Sequence, residues 1–366
     1  MFMFLALREI RHSKLKYALI TTIMLLVSFL VLFVTGLAQG LSYANASSVV
    51  NMKADYFIVQ KGSDSRLARS AITPEQAAAA KEAAGEEAVQ LLGVRMASLQ
   101  NEATGAKLDA ALMSVEPEGW LAPPVVEGTK PAAGTDGAIL VDRKLSESGV
   151  ELGTKLTDTV TGRSWTVAGF VKDESYSHTP AAFVSPAEWS KLQQSGRESG
   201  YNTIAFRGSQ ADAQALQGKL PGTELLAKKQ IIQAIPGYSE EQGTLVMMIA
   251  FLFVISAFVL AVFFYVMTIQ KTSQFGILKA IGSRTGYLSA SVLWQVLLLA
   301  AASLTGSLLL IWAMRAAMPS TVPFQLDAGT TAFTCALFLA TSIVGSLLSV
   351  IKVARTDALD AIGRTA

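Results

Sequence analysis

Four stretches of this chain carry no Lys, Arg, Asp or Glu over a length that reaches across a lipid bilayer: Tyr17 to Met52, Gln242 to Gln270, Thr285 to Met314 and Ala328 to Ile351. A hydrocarbon core ~30 Å thick is crossed by ~20 apolar residues of helix, each adding ~1.5 Å. No water is available there to satisfy backbone groups, so runs of this length form helices, and they are too long for barrel strands. Charged residues make up only 16% of the 366-residue chain, and the mean hydropathy is positive, at +0.41. The expected fold is therefore an α-helical membrane protein with four transmembrane helices. A long segment between helices 1 and 2 forms a mixed α/β extracytoplasmic domain.

The expected division is a cytoplasmic amphipathic helix over 1–16, then transmembrane helix 1 over 17–41 and the extracytoplasmic domain over 42–243. Transmembrane helix 2 (244–268), a cytoplasmic coupling loop (269–287) and transmembrane helix 3 (288–314) follow. An outer loop (315–328), transmembrane helix 4 (329–351) and a cytoplasmic tail (352–366) complete the chain. Orientation rests on the short flanks. Arg8, Arg11, Lys14 and Lys16 precede the first span, and Lys271, Lys279 and Arg284 join the second to the third. Basic flanks stay in the cytoplasm, which puts both termini inside and the large domain outside a bacterial plasma membrane. The apolar run before Ala44-Asn45-Ala46 is longer than a cleavable signal core of ~7–15 residues, so the first helix reads as an anchor.

Outside the lipid the pattern changes. Met3, Phe4, Leu7 and Ile10 recur at helical spacing and predict an interfacial helix. Thr73, Pro74 and Gln76 form a capping box that opens a helix over Pro74 to Ala84. Short helices are expected over Pro186 to Gln193 and Ala211 to Leu220, with Lys228 to Ile235 leading into the second span. The runs Tyr56 to Val59, Gly137 to Asp142 and Trp165 to Phe170 read as strands. Gly36 and Gly40 have the spacing that lets helices approach closely, whether against a neighbour or a second copy. Cys335 is the only cysteine, so no intrachain disulfide forms. His12 and His178 are too far apart for a metal cluster, and His178 reads as a solvated loop residue.

Between spans two and three, Phe275, Leu278 and Ile281 share a helical face, Lys279 and Arg284 point elsewhere, and Gly282 ends the helix. On physical grounds this is either a handle for a soluble partner or an inert loop on the lipid surface. The core FGILKAIG (Phe275–Gly282), the N-terminal LREIRHSK (Leu7–Lys14) and the ending ARTDALDAIG (Ala354–Gly363) resemble the ABC-transporter permeases of the FtsX and MacB type. The order of one span, a large outer domain and three spans resembles them too. Within that family the size of the outer domain is most similar to the permeases of bacterial heme-efflux pumps.

The resemblance implies a mechanotransmission pump in which two copies of this chain work with two copies of an ABC ATPase. Phe275, Gly276, Leu278, Lys279, Ile281 and Gly282 would couple to that ATPase. It also leaves open a lipoprotein or antimicrobial-peptide exporter, or a transmembrane regulator of an outside enzyme. No Gly-x-x-x-x-Gly-Lys-Ser/Thr loop occurs, and Gly149 to Lys155 lacks the Gly-Lys junction, so ATP is expected to bind the partner subunit and the chain is not itself an enzyme. Ionisable residues are missing from the spans, which argues against ion coupling. A near-neutral charge of +2 gives no support to a nucleic-acid partner. If heme is the cargo, side chains for its iron or its propionates belong at the outer ends of spans one and two. Tyr43, Met52 and Lys53 follow the first span; Tyr238, Glu240, Glu241, Met247 and Met248 open the second. Glu240 and Glu241 are the leading pair, with helix capping as their competing role. The only metal expected is heme iron, and the chain needs no cofactor of its own.

Overall fold

The structure is a computed structural model and describes Arg8 and residues 13–132, 135–192, 200–319 and 322–355. The interfacial helix expected at the N-terminus and most of the C-terminal tail lie outside the described residues. The chain divides into two compact units, residues 41–242 and the remainder. Helix α1 runs from Lys14 to Asn51 without a break. The helix continues past residue 41 into the inserted domain, because Ser42 to Asn51 contains no helix breaker and buries Ala46 and Val49.

The inserted domain is built on an eleven-stranded sheet. Strand β1 is Tyr56–Gln60, helix α2 is Pro74–Ala84, β2 is Val89–Asn101 and β3 is Lys107–Ser114. Next come β4 (Val125–Gly128), β5 (Ala138–Asp142), β6 (Lys155–Asp158), β7 (Ser164–Val171), β8 (Ser175–Tyr176) and β9 (Thr179–Val184). Helix α3 (Pro186–Lys191), β10 (Thr203–Phe206), α4 (Gln210–Gln217), β11 (Thr223–Ala227) and α5 (Lys228–Gln233) complete it. The main path is β11-β1-β10-β2-β3-β9-β5-β7-β4, with β3–β9 and β5–β7 parallel.

Period-two alternation sorts the strand side chains into cores on the two faces. Phe57, Val59, Ala111, Met113, Ala181 and Phe183 face a core shared with Ala46 and Val49 of α1, with Met52 just after it, and with Ile231 of α5. Ile58, Val89 and Ile204 face α2 and α4 instead, while Leu108, Ala110, Leu112, Ala182 and Val184 meet Trp165 and Trp189. The predicted capping box is present: Gln76 N donates to Thr73 Oγ1 at 3.3 Å, and Thr73 N to Gln76 Oε1 at 3.0 Å.

One buried acid braces this domain. Glu188 is fully buried and accepts from Arg163 (2.8 and 3.0 Å), Trp165 Nε1 (2.8 Å), Lys191 (3.0 Å) and the Gly137 amide (3.2 Å). Burial alone would raise its pKa, but these donors outweigh it and hold the carboxyl at about 2.

The other unit is entered at Gly243 by helix α6 (Tyr238–Gln270), which begins in the inserted domain, and also contains α7 (Thr272–Ala280), α8 (Thr285–Ala317) and α9 (Ala328–Arg355). Its portions of α1, α6, α8 and α9 are long and apolar enough to cross a membrane. Ser291, Gln295, Ser303 and Ser307 recur at multiples of four residues along α8, all buried on one face. That face meets α1. Tyr17 Oη donates to Gln295 Oε1 at 2.8 Å, Ser303 Oγ to the Thr21 carbonyl at 3.1 Å and Ser307 Oγ to the Leu25 carbonyl at 2.8 Å, and the hydroxyls of Ser28 and Ser307 are 2.5 Å apart. In lipid, where apolar contact gives no preference for one helix over the solvent, such small polar residues supply close packing and hydrogen bonds.

Gly36 and Gly40 serve a close approach, though to a loop and not to a helix. A Cβ on Gly36 would enter the Phe324 ring, and one on Gly40 would collide with the Pro323 carbonyl. The Gln325 amide donates to the Gly36 carbonyl at 3.0 Å, and Asp327 caps α9 through the Thr330 amide while accepting from Gln39.

Candidate functional site

The start of α6 brings together part of the expected cargo set. Pro236-Gly237 turns the chain from α5 into α6, with Gly237 at a φ of 81° that a residue bearing Cβ adopts only under strain. One turn later, Glu241 Oε2 accepts from Asn45 Nδ2 at 2.9 Å and lies 3.0 Å from His178 Nε2. His178 sits in the β8–β9 turn. Ser177 and His178 hold φ values of 51° and 61° there, and the Ser177 amide donates to the Asn45 carbonyl at 2.8 Å. No local pattern pairs His178 with a carboxylate, because 63 residues separate it from Glu241.

Glu240 projects from the exposed side of the same turn, about 100° around the helix from Glu241, so the two expected ligands do not converge within one chain. Tyr238 is half-buried against the domain core, and its hydroxyl accepts from Gln242 Nε2 at 3.4 Å. Tyr43 Oη donates to Asn51 Oδ1 at 2.9 Å. Met52 is only 4% exposed, packed in the core with Phe57 and Val59. Its thioether is therefore a packing group and does not face a ligand, contrary to the expectation. Lys53 is exposed, and Met247 and Met248 are exposed on the membrane stretch of α6. Among the described residues, no three His, Cys, Asp or Glu side chains converge as a metal site.

A second acid pair lies nearby in sequence but is closed off. Glu174 is 3% exposed; Asn51 Nδ2 donates to it at 3.1 Å, and its own amide donates to Asp142 at 2.7 Å. Burial, reinforced by the charges of Asp142 and Asp173, pushes the Glu174 carboxyl up to about 8, so it is largely protonated at neutral pH.

The expected coupling segment is helical, as α7, and Gly282 terminates it at a φ of 97°. The orientation differs from the expectation. Phe275 and Gly276 are buried, and Phe275 packs with Leu288, Val292 and Val353, with Leu278 partly covered beside them. Lys279 Nζ donates at 3.0 Å to the carbonyls of Val353 and Ala354 near the end of α9, where a cation also suits the helix dipole. The apolar side chains left exposed are Ile277 and Ile281, four residues apart and 51% and 75% exposed. Helices α8 and α9 claim the Phe275 face.

Residues 246–358 match the FtsX-like permease C-terminal family model. Over 359 residues, 98% of this chain and 99% of the relative, the sequence is 30% identical to a Staphylococcus haemolyticus protein named as the hemin transport system permease protein HrtB. The chain is an FtsX-like permease. Two Staphylococcus epidermidis proteins of the same name match over the same length at the same identity. As an FtsX-like permease it is a transporter subunit. The extracellular domain of the Gram-positive transporter YknZ aligns with 47% of the permease and 98% of its own length, at 14% identity and a TM-score of 0.35. The periplasmic region of MacB from Actinobacillus actinomycetemcomitans aligns with 50% and 93%, at 13% identity and a TM-score of 0.35.

Proposed function

We propose that this permease is the membrane subunit of an ATP-driven pump that exports hemin from the outer leaflet, with hemin as substrate. The observation that carries the reading is near full-length likeness to permeases named for hemin transport. The Glu241 cluster supports it, since a carboxylate and an imidazole are both ligands for ferric iron. Two copies of the chain would pair with two copies of an ABC ATPase, and ATP would be bound and hydrolysed in that partner. Movement of the ATPase would reach the membrane helices through α7, using Ile277 and Ile281 as the contact.

Both termini would face the cytoplasm and the inserted domain the outside. Reporter fusions after Gly119, Gly282 and Ala366 test this: activity specific to the outside at Gly119 and the inside at the other two is expected, and reversal at Gly282 overturns the orientation. The substrate is tested by titrating hemin into the purified permease in lipid nanodiscs. A saturable absorbance band and hemin sensitivity in cells lacking the permease are expected. Absence of both rejects hemin as the cargo.

A further inference from the structure

A cleft of about 730 Å³ lies between α5 and the first turn of α6, lined by Lys228, Lys229, Ile232, Tyr238 and Gln242 among others. Its lining contains two ammonium groups and no carboxylate. Ile232 and the ring of Tyr238 are packed against the domain core and give it an apolar wall. Lys228 is half-buried, and its Nζ donates at 2.5 Å to the Met52 carbonyl. That contact uses one of the three donors of an ammonium group. Burial lowers the pKa of Lys228, the sign that this cation sits in a partly desolvated place. Lys229 is exposed at the rim.

A cleft with an apolar wall and cationic rim selects a flat apolar body that carries carboxylates along one edge. Such an ammonium–carboxylate contact gains from partial desolvation, whereas a fully exposed pair is worth little. Tyr238 in the cleft and Glu241 in the iron-competent cluster are three residues apart on α6, which makes them neighbours on the helix surface.

We infer that the Lys228–Lys229 cleft binds the carboxylate edge of the porphyrin substrate, separately from the groups that meet its iron. The inference rests on the hemin reading, but it concerns the carboxylates alone and is tested without iron. The probes are metal-free protoporphyrin IX and its dimethyl ester, titrated by fluorescence into the full-length permease in phosphatidylcholine nanodiscs. Protoporphyrin IX is expected to bind, with the ester at least ~10-fold weaker. Lys229→Gln, at an exposed rim position, is expected to weaken the acid about two- to five-fold and leave the ester unchanged, and Lys229→Arg to retain the acid. Glu241→Gln should not alter protoporphyrin IX binding, because no iron is present. Lys229 is the variant of choice because Lys228 also holds the Met52 carbonyl.

Equal binding of acid and ester, or indifference to Lys229→Gln, overturns the inference. So does hemin binding by a wild-type permease that ignores protoporphyrin IX, an outcome that leaves the hemin reading standing. Failure to bind either porphyrin removes the hemin reading itself. If a small fraction of phosphatidylglycerol displaces protoporphyrin IX from wild type but not from Lys229→Gln, the cleft belongs to anionic lipid headgroups and the inference also falls.

Discussion

The Nε2 of His178 lies 3.0 Å from Oε2 of Glu241, and the Asn45 amide donates to the same oxygen at 2.9 Å. One carboxylate thus joins the C-terminal part of α1, the β8–β9 turn and the start of α6. A ligand that takes Oε2 of Glu241 must displace these partners, so at that oxygen the cluster competes with the substrate it would serve.

That competition bears on three variants. Glu241→Ala is expected to remove or shift the hemin absorbance band with protein level unchanged. His178→Ala frees the carboxylate and should leave the band in place with affinity equal or a few-fold tighter. Glu240→Ala, on the exposed side of the helix, should change it less than Glu241→Ala. Loss of the band in His178→Ala, with Glu241→Ala unaffected, would make the imidazole the ligand instead.

Charge at the exposed face of α7 should cut association with the ATPase and spare the fold. Ile281→Asp and Ile277→Asp remove apolar area that a groove would accept, while surface changes usually stay within ±0.5 kcal/mol of stability. Phe275→Ala is the contrasting variant, because emptying a buried phenyl site costs ~3–5 kcal/mol. Copurification of the ATPase alongside a thermal unfolding curve separates these effects. Normal association in both aspartate variants would show that α7 is not the contact.

Stability of the inserted domain should respond to pH through Glu174. Its folded pKa of about 8 exceeds the reference of 4.5. The unfolded chain therefore releases this proton first, and stability falls as pH rises from 4.5 to 8. With ~1.4 kcal/mol per pKa unit, the effect is bounded at a few kcal/mol. Glu174→Gln should flatten the fall, read as hydrogen exchange of β5 and β9 in the full-length permease. An unchanged pH slope in the variant would place the titrating group elsewhere.

Glu188 acts with the opposite sign. Its folded pKa of about 2 lies below 4.5, so its contribution is present above 4.5 and is lost as pH falls toward 2. Glu188→Ala leaves the Trp165 indole without its acceptor, while Arg163 and Lys191, each over a third exposed, turn to solvent, so a loss of ~1–3 kcal/mol is expected. A melting temperature within one degree of wild type would contradict this.

Gly40→Ala should lower the thermal stability of the membrane unit more than Gly36→Ala. The added methyl at position 40 meets the backbone carbonyl of Pro323, while at position 36 it meets the ring of Phe324, which can turn aside. Overpacking of the first kind costs ~1–3 kcal/mol. Equal melting temperatures would show that the 322–327 segment yields.

The parts of this fold written in local chemistry were legible. Thr73, Pro74 and Gln76 announced α2, and the charge-free runs announced the four long helices. Strand β3 was missed because Lys107 to Ser114 contains two adjacent alanines and no β-branched residue; Ala110 and Ala111 are tolerated because the sheet is covered on both faces. The site was less legible for a related reason. Which carboxylate meets His178, and whether Phe275 or Ile281 faces outward, depends on neighbours supplied by distant segments. Helical spacing gives the period of a face and cannot say which face is claimed.

The hydroxyl contacts of Ser28, Ser303 and Ser307 divide the membrane unit mechanically. They zip α1 to α8 at several heights, and Phe275 with Lys279 fastens α7 to α8 and α9. The most apolar window of α6 is by contrast only 11% buried, against 39% for α8. Lys271, the joint between α6 and α7, is itself pinned to Tyr17 Oη at 2.6 Å. A load arriving at α7 is therefore handed to α8 and α9 through the Phe275 and Lys279 contacts, and to the start of α1 through Lys271. The helix of this unit least enclosed by its own chain is α6, the one whose first turn carries Tyr238 and Glu241.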